Sequence, residues 1–258
     1  VASTLVDNAD NTYTLTYTVV DGNTDVADNA TIAISIILSD AAGNNTATYT
    51  TSPVAGSTPI IDANSPSITA VSFSPTNGTL VPGQDISVSV TASEASLTAN
   101  TVEINGVDVS ATHTPNGGGS YGYTYTISEG DNDVADNETI AVNIILADAA
   151  GNVSNTFTTS PLATNTPIID ANTPTISNVT FSPTSGTLAV GDAVSVTIIT
   201  NDTGLSANTI TINGVNVAST LVDNADNTYT VTYTISEGNT SIAASTTMAV
   251  NVILEDAA

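Results

Sequence analysis

Carboxylate side chains are the groups in this sequence most able to do chemistry, and they recur at a fixed interval. The heptapeptide Leu-Ala-Asp-Ala-Ala-Gly-Asn around Asp148 has counterparts at Asp40 and Asp256, each 108 residues away. A second acidic segment, Pro-Ile-Ile-Asp-Ala-Asn, occurs around Asp62 and again, at the same interval, around Asp170. Because both motifs share one interval, the chain is a tandem array of a 108-residue unit.

The charge balance restricts what these carboxylates can bind. The chain has no Lys and no Arg against 25 Asp and Glu, so its formal net charge is −25. Nucleic acid is excluded as a direct partner, because no side chain can neutralise phosphates, and an anionic membrane is disfavoured for the same reason. Clustered carboxylates can therefore be stabilised only by a metal ion, a proton, water or hydrogen-bond donors.

Other chemically active groups do not suggest an enzyme. The only His, His113, has Leu5 and Leu221 as its counterparts in the other copies, which indicates drift rather than a catalytic base. Cysteine is absent, so there are neither disulfides nor a thiol nucleophile, and no serine has a histidine partner. We expect no enzymatic activity. There is also no apolar run of about 18 residues that would predict a membrane span.

The interval divides the chain into three parts. Residues 1–64 are the C-terminal part of one repeat, residues 65–172 contain every part once, and residues 173–258 form a repeat that lacks its last strand. Residues 1–14 are identical to residues 217–230. We therefore expect the array to continue into further copies at both ends.

Alternating apolar residues predict strands throughout the repeat, and no window has a helical period. Asn105-Gly106 and its counterpart Asn213-Gly214 are strong hairpin signals. Seven strands are predicted, at residues 68–73, 86–92, 102–104, 107–109, 121–127, 140–146 and around 157. Seven short strands in about 100 residues indicate an all-β chain of tandem immunoglobulin-like β-sandwiches.

The strand order predicts which acidic residues meet. In a seven-strand sandwich the preceding linker, the second-to-third loop and the sixth-to-seventh loop lie at the same end. The candidates at this end of the complete repeat are Asp62, Asn64, Glu94, Asp148 and Asn152. Those at the same end of the next repeat are Asp170, Asn172, Asp202 and Asp256, and Asp40 is the counterpart of Asp148 in the first part. Such oxygen donors suit Ca²⁺, which takes 6–8 oxygen ligands. The alternative is plain turn chemistry, because Asp and Asn cap their own backbone.

A further acidic loop, residues 129–136, is predicted at the opposite end of the repeat. Its copies are residues 21–28 and the depleted segment 237–244. Because one copy has lost most of its acids, the pattern favours a solvated loop over a binding site.

The repeat resembles the tandem bacterial Ig-like repeats of large secreted adhesins and biofilm surface proteins. The Asp-Ala-Ala-Gly-Asn turn at residues 40–44 and 148–152 carries that resemblance. The Asp-Ala-Asn-Ser/Thr-Pro linker at residues 62–66 and 170–174 is similar to the calcium-binding linkers of cadherin-type repeats, although the longer acidic motif of cadherins is absent. The resemblance implies a cell-surface location, extended multi-domain rods and calcium at the junctions.

The interpretation is a structural extracellular protein, the rod or filament shaft of an adhesin or surface fibre, with Ca²⁺ as its cofactor. Its expected partners are further copies of the repeat, in the same chain or in neighbouring chains. Two alternatives remain open: a binding module that recognises a glycan or another surface through loops or sheet faces, and a self-assembling fibre subunit in which separate chains complete one another's sandwiches.

Overall fold

A computed structural model describes residues 4–53 and 59–256, which form β-strands, loops and three single-turn 3₁₀ helices. The ends of the predicted parts, at residues 1 and 258, and Ala257-Ala258 of the third Asp-Ala-Ala motif lie outside the described residues. The strands are β1 Thr4–Asp7, β2 Tyr13–Thr16, β3 Ile68–Ser74, β4 Thr79–Leu80, β5 Asp85–Ala92, β6 Thr98–Ile104, β7 Val107–Asp108, β8 Thr114–Gly117, β9 Ser120–Thr126, β10 Val142–Ala147, β11 Ile168–Ile169, β12 Ile176–Ser182, β13 Ala193–Thr200, β14 Ser206–Ile212, β15 Val215–Asn216, β16 Val222–Asp223, β17 Thr228–Thr234 and β18 Val250–Glu255. The 3₁₀ helices are Ser110–Thr112, Ala163–Asn165 and Ala218–Thr220.

The described residues divide into two compact units. Unit 1 comprises the described residues of 1–76, 86–125 and 139–166, and unit 2 comprises residues 77–85, 126–138 and the described residues of 167–258. The division into three parts, which was inferred from the 108-residue interval, is separate from these two units and remains a prediction.

Unit 1 contains a four-stranded antiparallel sheet in the order β3-β5-β9-β8. Every second residue of β5 and β9 is buried, as the alternating pattern predicts. The stripe Tyr121, Tyr123 and Tyr125 is at most 2 % exposed and so belongs to the core. The adjoining hairpin β8–β9 was not predicted. It turns at three glycines with positive φ, where a Cβ on Gly119 would lie 2.7 Å from the Ala92 carbonyl oxygen.

The second sheet of unit 1 has the order β10-β6-β7. Asn105 and Gly106 both have positive φ and join β6 to β7, which confirms the predicted hairpin. The predicted seventh strand is not continuous: in the described part of the chain it meets β10 through isolated bridges at Val153 and Phe157 and a hydrogen bond from the Ser154 N–H to the Leu146 carbonyl oxygen. At Leu146 the ladder is interrupted because the Ser154 hydroxyl, and not a backbone carbonyl, accepts the Leu146 N–H at 3.1 Å.

Unit 2 repeats this pattern with the sheets β12-β13-β17-β16 and β15-β14-β18. The hydrophobic core between them includes Val196, Ile198, Ile210, Tyr229 and Val231, all fully buried. Unit 2 also contains the parallel pair β4–β11. Two antiparallel sheets with alternating buried faces confirm the prediction of an all-β, immunoglobulin-like sandwich.

Among the strands that the structure describes, β1 and β2 pair only with each other. Tyr13 in β2 is 48 % exposed, whereas its counterpart Tyr121 in β9 is 1 % exposed. Leu15 is likewise 44 % exposed against 2 % for Tyr123. The same alternating pattern is thus buried or exposed according to the strands that surround it.

Candidate functional site

The linker, the loop after β5 and the turn after β10 place three predicted acids in one region of unit 1. The pKa of the Glu94 carboxyl reflects this arrangement. Burial raises it first, and the charges of Asp148, Asp62 and Asp25 raise it further. We call Asp25, Asp62, Glu94 and Asp148 the first carboxylate cluster. It contains the three acids predicted to meet there and one, Asp25, that was not predicted.

The corresponding four positions, each 108 residues later, form the second carboxylate cluster, in unit 2. Here the pKa of the Asp170 carboxyl reflects the arrangement. Burial raises the pKa of its carboxyl, the Asn172 backbone N–H opposes this effect, and the charges of Asp256, Asp133 and Asp202 raise the pKa further. Equivalent residues therefore act on one another electrostatically at both linkers.

The predicted amide residues connect the carboxylates as hydrogen-bond donors. Asn152 Nδ2 donates to the Asp62 carbonyl oxygen at 3.2 Å and to Asp148 Oδ2 at 2.8 Å. Asn64 Nδ2 donates to Asp25 Oδ2 at 2.7 Å. In the second cluster, Asn172 Nδ2 lies 2.9 and 2.8 Å from the two carboxylate oxygens of Asp133. The amides thus stabilise, by hydrogen bonding, negative charge that no basic residue can neutralise.

The acidic loop at residues 129–136 and its copy at 21–28 are mostly exposed, in keeping with the predicted solvated loop, and some of their acids also bind the linkers. Asp133 Oδ1 accepts the Ala171 N–H at 2.8 Å, and Asp25 Oδ1 accepts the Ala63 N–H at 2.9 Å. The backbone N–H and the hydroxyl of Thr173 both donate hydrogen bonds to the Glu129 carboxylate. The loop lies beside the linker that leaves its own repeat. The recurrence of Asp25 as Asp133 was the signal that could have identified it.

Turn chemistry, the alternative explanation, accounts for part of the arrangement. Asp148 Oδ1 accepts the N–H groups of Ala150, Gly151 and Asn152 at 2.8 to 2.9 Å. Burial of Asp148 opposes ionisation, but the hydrogen bonds from Asn152, Gly151 and Ala150 outweigh it and lower the pKa. Asp40 has the same turn: Asn44 and then Ala42 and Gly43 lower its pKa, and its described contacts are with these turn residues. The structure thus leaves Asp40 outside both clusters.

The oxygen ligands of the clusters suit a hard cation, but the carboxylates lie too far apart to hold one without moving. All the donors are oxygen atoms, and several carboxylates are exposed and accessible. Within residues 4–53 and 59–256, no three His, Asp or Glu side chains lie close enough together to hold a metal ion as they stand. Mutual repulsion keeps uncompensated carboxylates apart, so binding would require the side chains to close around the ion.

His113 belongs to the core rather than to a site. Its ring stacks on Tyr121, with a centroid separation of 5.3 Å, and its Nδ1 lies 2.8 Å from the Tyr123 hydroxyl. Burial and the neighbouring Tyr121 raise the pKa of Tyr123. These contacts hold the half-buried ring at a position where the other copies have leucine, while its Nε2 has no hydrogen-bond partner among the described residues.

Removing the charge of Glu94 should stabilise the metal-free protein at neutral pH. A carboxyl whose pKa is raised on folding stabilises the folded state below its unfolded pKa, near 4.5, and loses that contribution as the pH rises through the raised value. Glu94→Gln should therefore be more stable than the parent at pH 7, by less than about 1 kcal/mol, because the group remains partly exposed to solvent. The gain should vanish near pH 4.

Urea unfolding in metal-free buffer between pH 4 and pH 7 measures this difference. Asp28→Asn makes the same change of charge at a residue whose carboxylate accepts a hydrogen bond from Asn29 and belongs to neither cluster. If Asp28→Asn gives the same gain as Glu94→Gln, net charge explains the effect and the cluster does not.

Comparisons with known proteins identify no family for this chain. No protein-family model matches it, and no curated protein matches it. One solved structure that it matches is described as the D00-D0 domain of Intimin, with 14 % identity and a TM-score of 0.27, covering 72 % of this chain and 99 % of that one. Values this low support no inference from that protein. No helix among the described residues is long and apolar enough to cross a membrane.

Proposed function

We propose that this chain is a structural segment of an extracellular surface protein, a rod or filament shaft of Ig-like repeats stiffened at its junctions by Ca²⁺. One observation carries the proposal. Carboxylates at the same four positions, 108 residues apart in sequence, act on one another electrostatically at both linkers that join successive repeats. Turn chemistry alone would not require a linker acid, two loop acids and an acid of the preceding repeat to come together.

The charge of the protein supports a cation as the ligand. Negative charge accumulates at both linkers, and the chain has no Lys or Arg to neutralise it. A bound Ca²⁺ would supply that positive charge, and the carboxylates of each cluster would hold it. The residues concerned are Asp25, Asp62, Glu94 and Asp148 at the first linker and Asp133, Asp170, Asp202 and Asp256 at the second.

The acids of each cluster come from two successive repeats, which supports a mechanical role. Asp25 and Asp133 come from the repeat that precedes a linker, whereas Glu94 and Asp202 come from the repeat that follows it. An ion shared by these groups would connect two repeats and the linker between them, and so restrict bending. Extracellular Ca²⁺ sites of moderate affinity, about 10⁻⁴–10⁻³ M, suit this task.

Calcium titration of the full chain, by isothermal titration calorimetry or equilibrium dialysis, tests the proposal. We expect two sites per chain with dissociation constants of about 10⁻⁴–10⁻³ M. Glu94→Gln should leave one site, and Glu94→Gln combined with Asp170→Asn should leave none. Asp28→Asn should retain both. Absence of saturable calcium binding, or two unchanged sites in the double variant, would refute the calcium junction.

A further inference from the structure

The sequence contains four Asn-Gly dipeptides, at residues 77–78, 105–106, 116–117 and 213–214. An asparagine before glycine can lose ammonia spontaneously, because glycine has no side chain to hinder attack by its backbone nitrogen on the asparagine side-chain carbon. The reaction needs an asparagine amide that is exposed and free to rotate. The four sites differ in this respect, although they share the same dipeptide.

Two of the asparagines, Asn105 and Asn213, are held at the hairpins that follow β6 and β14. Both lie in the left-handed region, with φ values of 55° and 50°. Asn105 is 5 % exposed, and its Nδ2 donates to the Tyr125 hydroxyl at 3.2 Å. Asn213 Nδ2 donates to the Tyr233 hydroxyl at 3.2 Å and to the Thr240 carbonyl oxygen at 2.7 Å. Either asparagine would have to break these bonds before it could react.

The other two asparagines, Asn77 and Asn116, are exposed. Asn77 lies in the bend between β3 and β4. Asn116 lies in β8 where the register with β9 shifts, so no residue of β9 stands opposite it. In the part of the chain that the structure describes, neither side-chain amide has a hydrogen-bond partner. Each is therefore free to bring its carbonyl carbon to the nitrogen of the following glycine.

A copy of Asn116 shows which contacts this loop has lost. The equivalent Asn224 is followed by alanine, and its Nδ2 donates to the hydroxyls of Thr228 and Thr230, each at 3.0 Å. In the second repeat Gly122 takes the place of Thr230, which removes one acceptor, and a glycine follows Asn116. Two changes that favour the reaction thus occur together in one copy.

We propose that Asn77 and Asn116 are sites of spontaneous deamidation, with water as the second reactant, and that Asn105 and Asn213 remain asparagine. The nitrogen of the following glycine bonds to the side-chain carbonyl carbon and gives up its proton, and ammonia leaves as the amide carbon–nitrogen bond breaks. Water then opens the resulting cyclic imide at either carbonyl group. The products are aspartate, or isoaspartate, in which the main chain runs through the side-chain carbons.

The product at Asn77 would change the linker of the second repeat. The Gly78 carbonyl oxygen accepts the Ile168 N–H at 2.8 Å, where β11 pairs with β4. The other edge of β11 is paired through Ile169 and Val134, which exchange two backbone hydrogen bonds. Isoaspartate lengthens the main chain directly before Gly78, so β4 can no longer keep its register with the linker. Deamidation should therefore loosen this strand whether or not calcium binds.

Ageing of the folded full chain at neutral pH, followed by peptide mass spectrometry, tests the proposal. An endoproteinase that cleaves before aspartate places the four dipeptides on separate peptides, residues 62–84, 85–107, 108–130 and 202–222. We expect the mass change from amide to acid, with isoaspartate, at Asn77 and Asn116. Their rates should exceed those of Asn105 and Asn213 by about tenfold or more, because only the latter must first break hydrogen bonds. In urea all four rates should be similar.

Two variants carry the residues found in the next copy. Gly122→Thr restores an acceptor and should slow the reaction of Asn116 by about fivefold, while the rates at Asn77 and Asn105 in the same molecule stay unchanged. Asn77→Ser should keep the hydrogen-exchange protection of Ile168 on ageing, whereas the parent should lose it. Equal rates at all four sites of the folded chain, or an unchanged rate at Asn116 in Gly122→Thr, would overturn the proposal.

Discussion

Tyr121→Ala is expected to lower the free energy of unfolding of unit 1 by about 4 kcal/mol, the cost of removing a large aromatic side chain from a packed core. Tyr121 is 1 % exposed in β9. Its hydroxyl accepts the Leu97 N–H at 2.9 Å and donates to the Glu94 carbonyl oxygen at 3.0 Å. The substitution thus opens a cavity and also leaves the buried Leu97 N–H without its acceptor.

The repeat supplies a matched control for this substitution. Tyr13 is the counterpart of Tyr121 and is 48 % exposed, so Tyr13→Ala should cost less than about 1 kcal/mol. Hydrogen exchange with mass spectrometry measures both effects locally, which suits a chain of several units that need not unfold in one step. Protection in β5 and β9 should fall by more than about a hundredfold only in Tyr121→Ala. Equal losses of protection in Tyr121→Ala and Tyr13→Ala would mean that the tyrosine stripe of β9 is not part of a packed core.

The same tyrosine connects the core to the first carboxylate cluster. Its hydroxyl bonds to the backbone of Glu94, and Tyr229 has the equivalent contacts with Leu205 and Asp202 in unit 2. A buried ring therefore positions the loop that carries one acid of each cluster. For this reason Tyr121→Phe, which keeps the ring and loses the hydroxyl, separates the packing contribution from the positioning contribution.

Calcium at 10 mM is expected to stabilise each junction by about 1.4 to 2.7 kcal/mol, the linkage energy for a dissociation constant of about 10⁻³ to 10⁻⁴ M. The ion would replace carboxylate repulsion by attraction, and only the folded chain brings the four acids together. For a repeat of about 100 residues this corresponds to a rise of the midpoint by several degrees. Thermal unfolding followed by circular dichroism, in EDTA and in calcium, measures it.

The variants that accompany this experiment separate a site from a general charge effect. Asp170→Ala should lose the calcium-dependent shift at the second junction and keep the shift at the first. Asp28→Asn should keep both. Mg²⁺ at the same concentration should stabilise less, because it prefers a small octahedral shell and releases its water reluctantly. A midpoint that is the same in EDTA and in calcium would contradict the junctional sites.

Much of the fold could be predicted because the relevant signals are local. Alternation in β5 and β9 identifies buried strands, and Asn105-Gly106 identifies a hairpin, since both follow from backbone geometry over a few residues. The β8–β9 hairpin was missed because its first strand, Thr-Pro-Asn-Gly, has no alternating pattern and is exposed throughout. The seventh strand was predicted too regular, because side-chain hydroxyls such as that of Ser154 take part in its pairing.

The candidate site could be predicted only in part. Strand order alone places Asp62, Glu94 and Asp148 at one end of a repeat. It does not show that Asp25, from the preceding repeat, reaches the same linker, because a seven-strand topology describes one repeat at a time. The contact between Asp25 and Ala63 spans 38 residues, so no local backbone pattern reveals it, and its only trace in the sequence is the recurrence of Asp25 as Asp133.

The sequence by itself determined the 108-residue repeat, the all-β class and the absence of any basic partner for the carboxylates, since these follow from identity, periodicity and composition. Only the tertiary structure decided which copies of a pattern are buried, as the contrast between Tyr13 and Tyr121 shows. It also decided that the linker is a strand held on both edges by distant loops. Burial and hydrogen bonding depend on what surrounds a residue in space, and residues with almost the same sequence therefore have different environments.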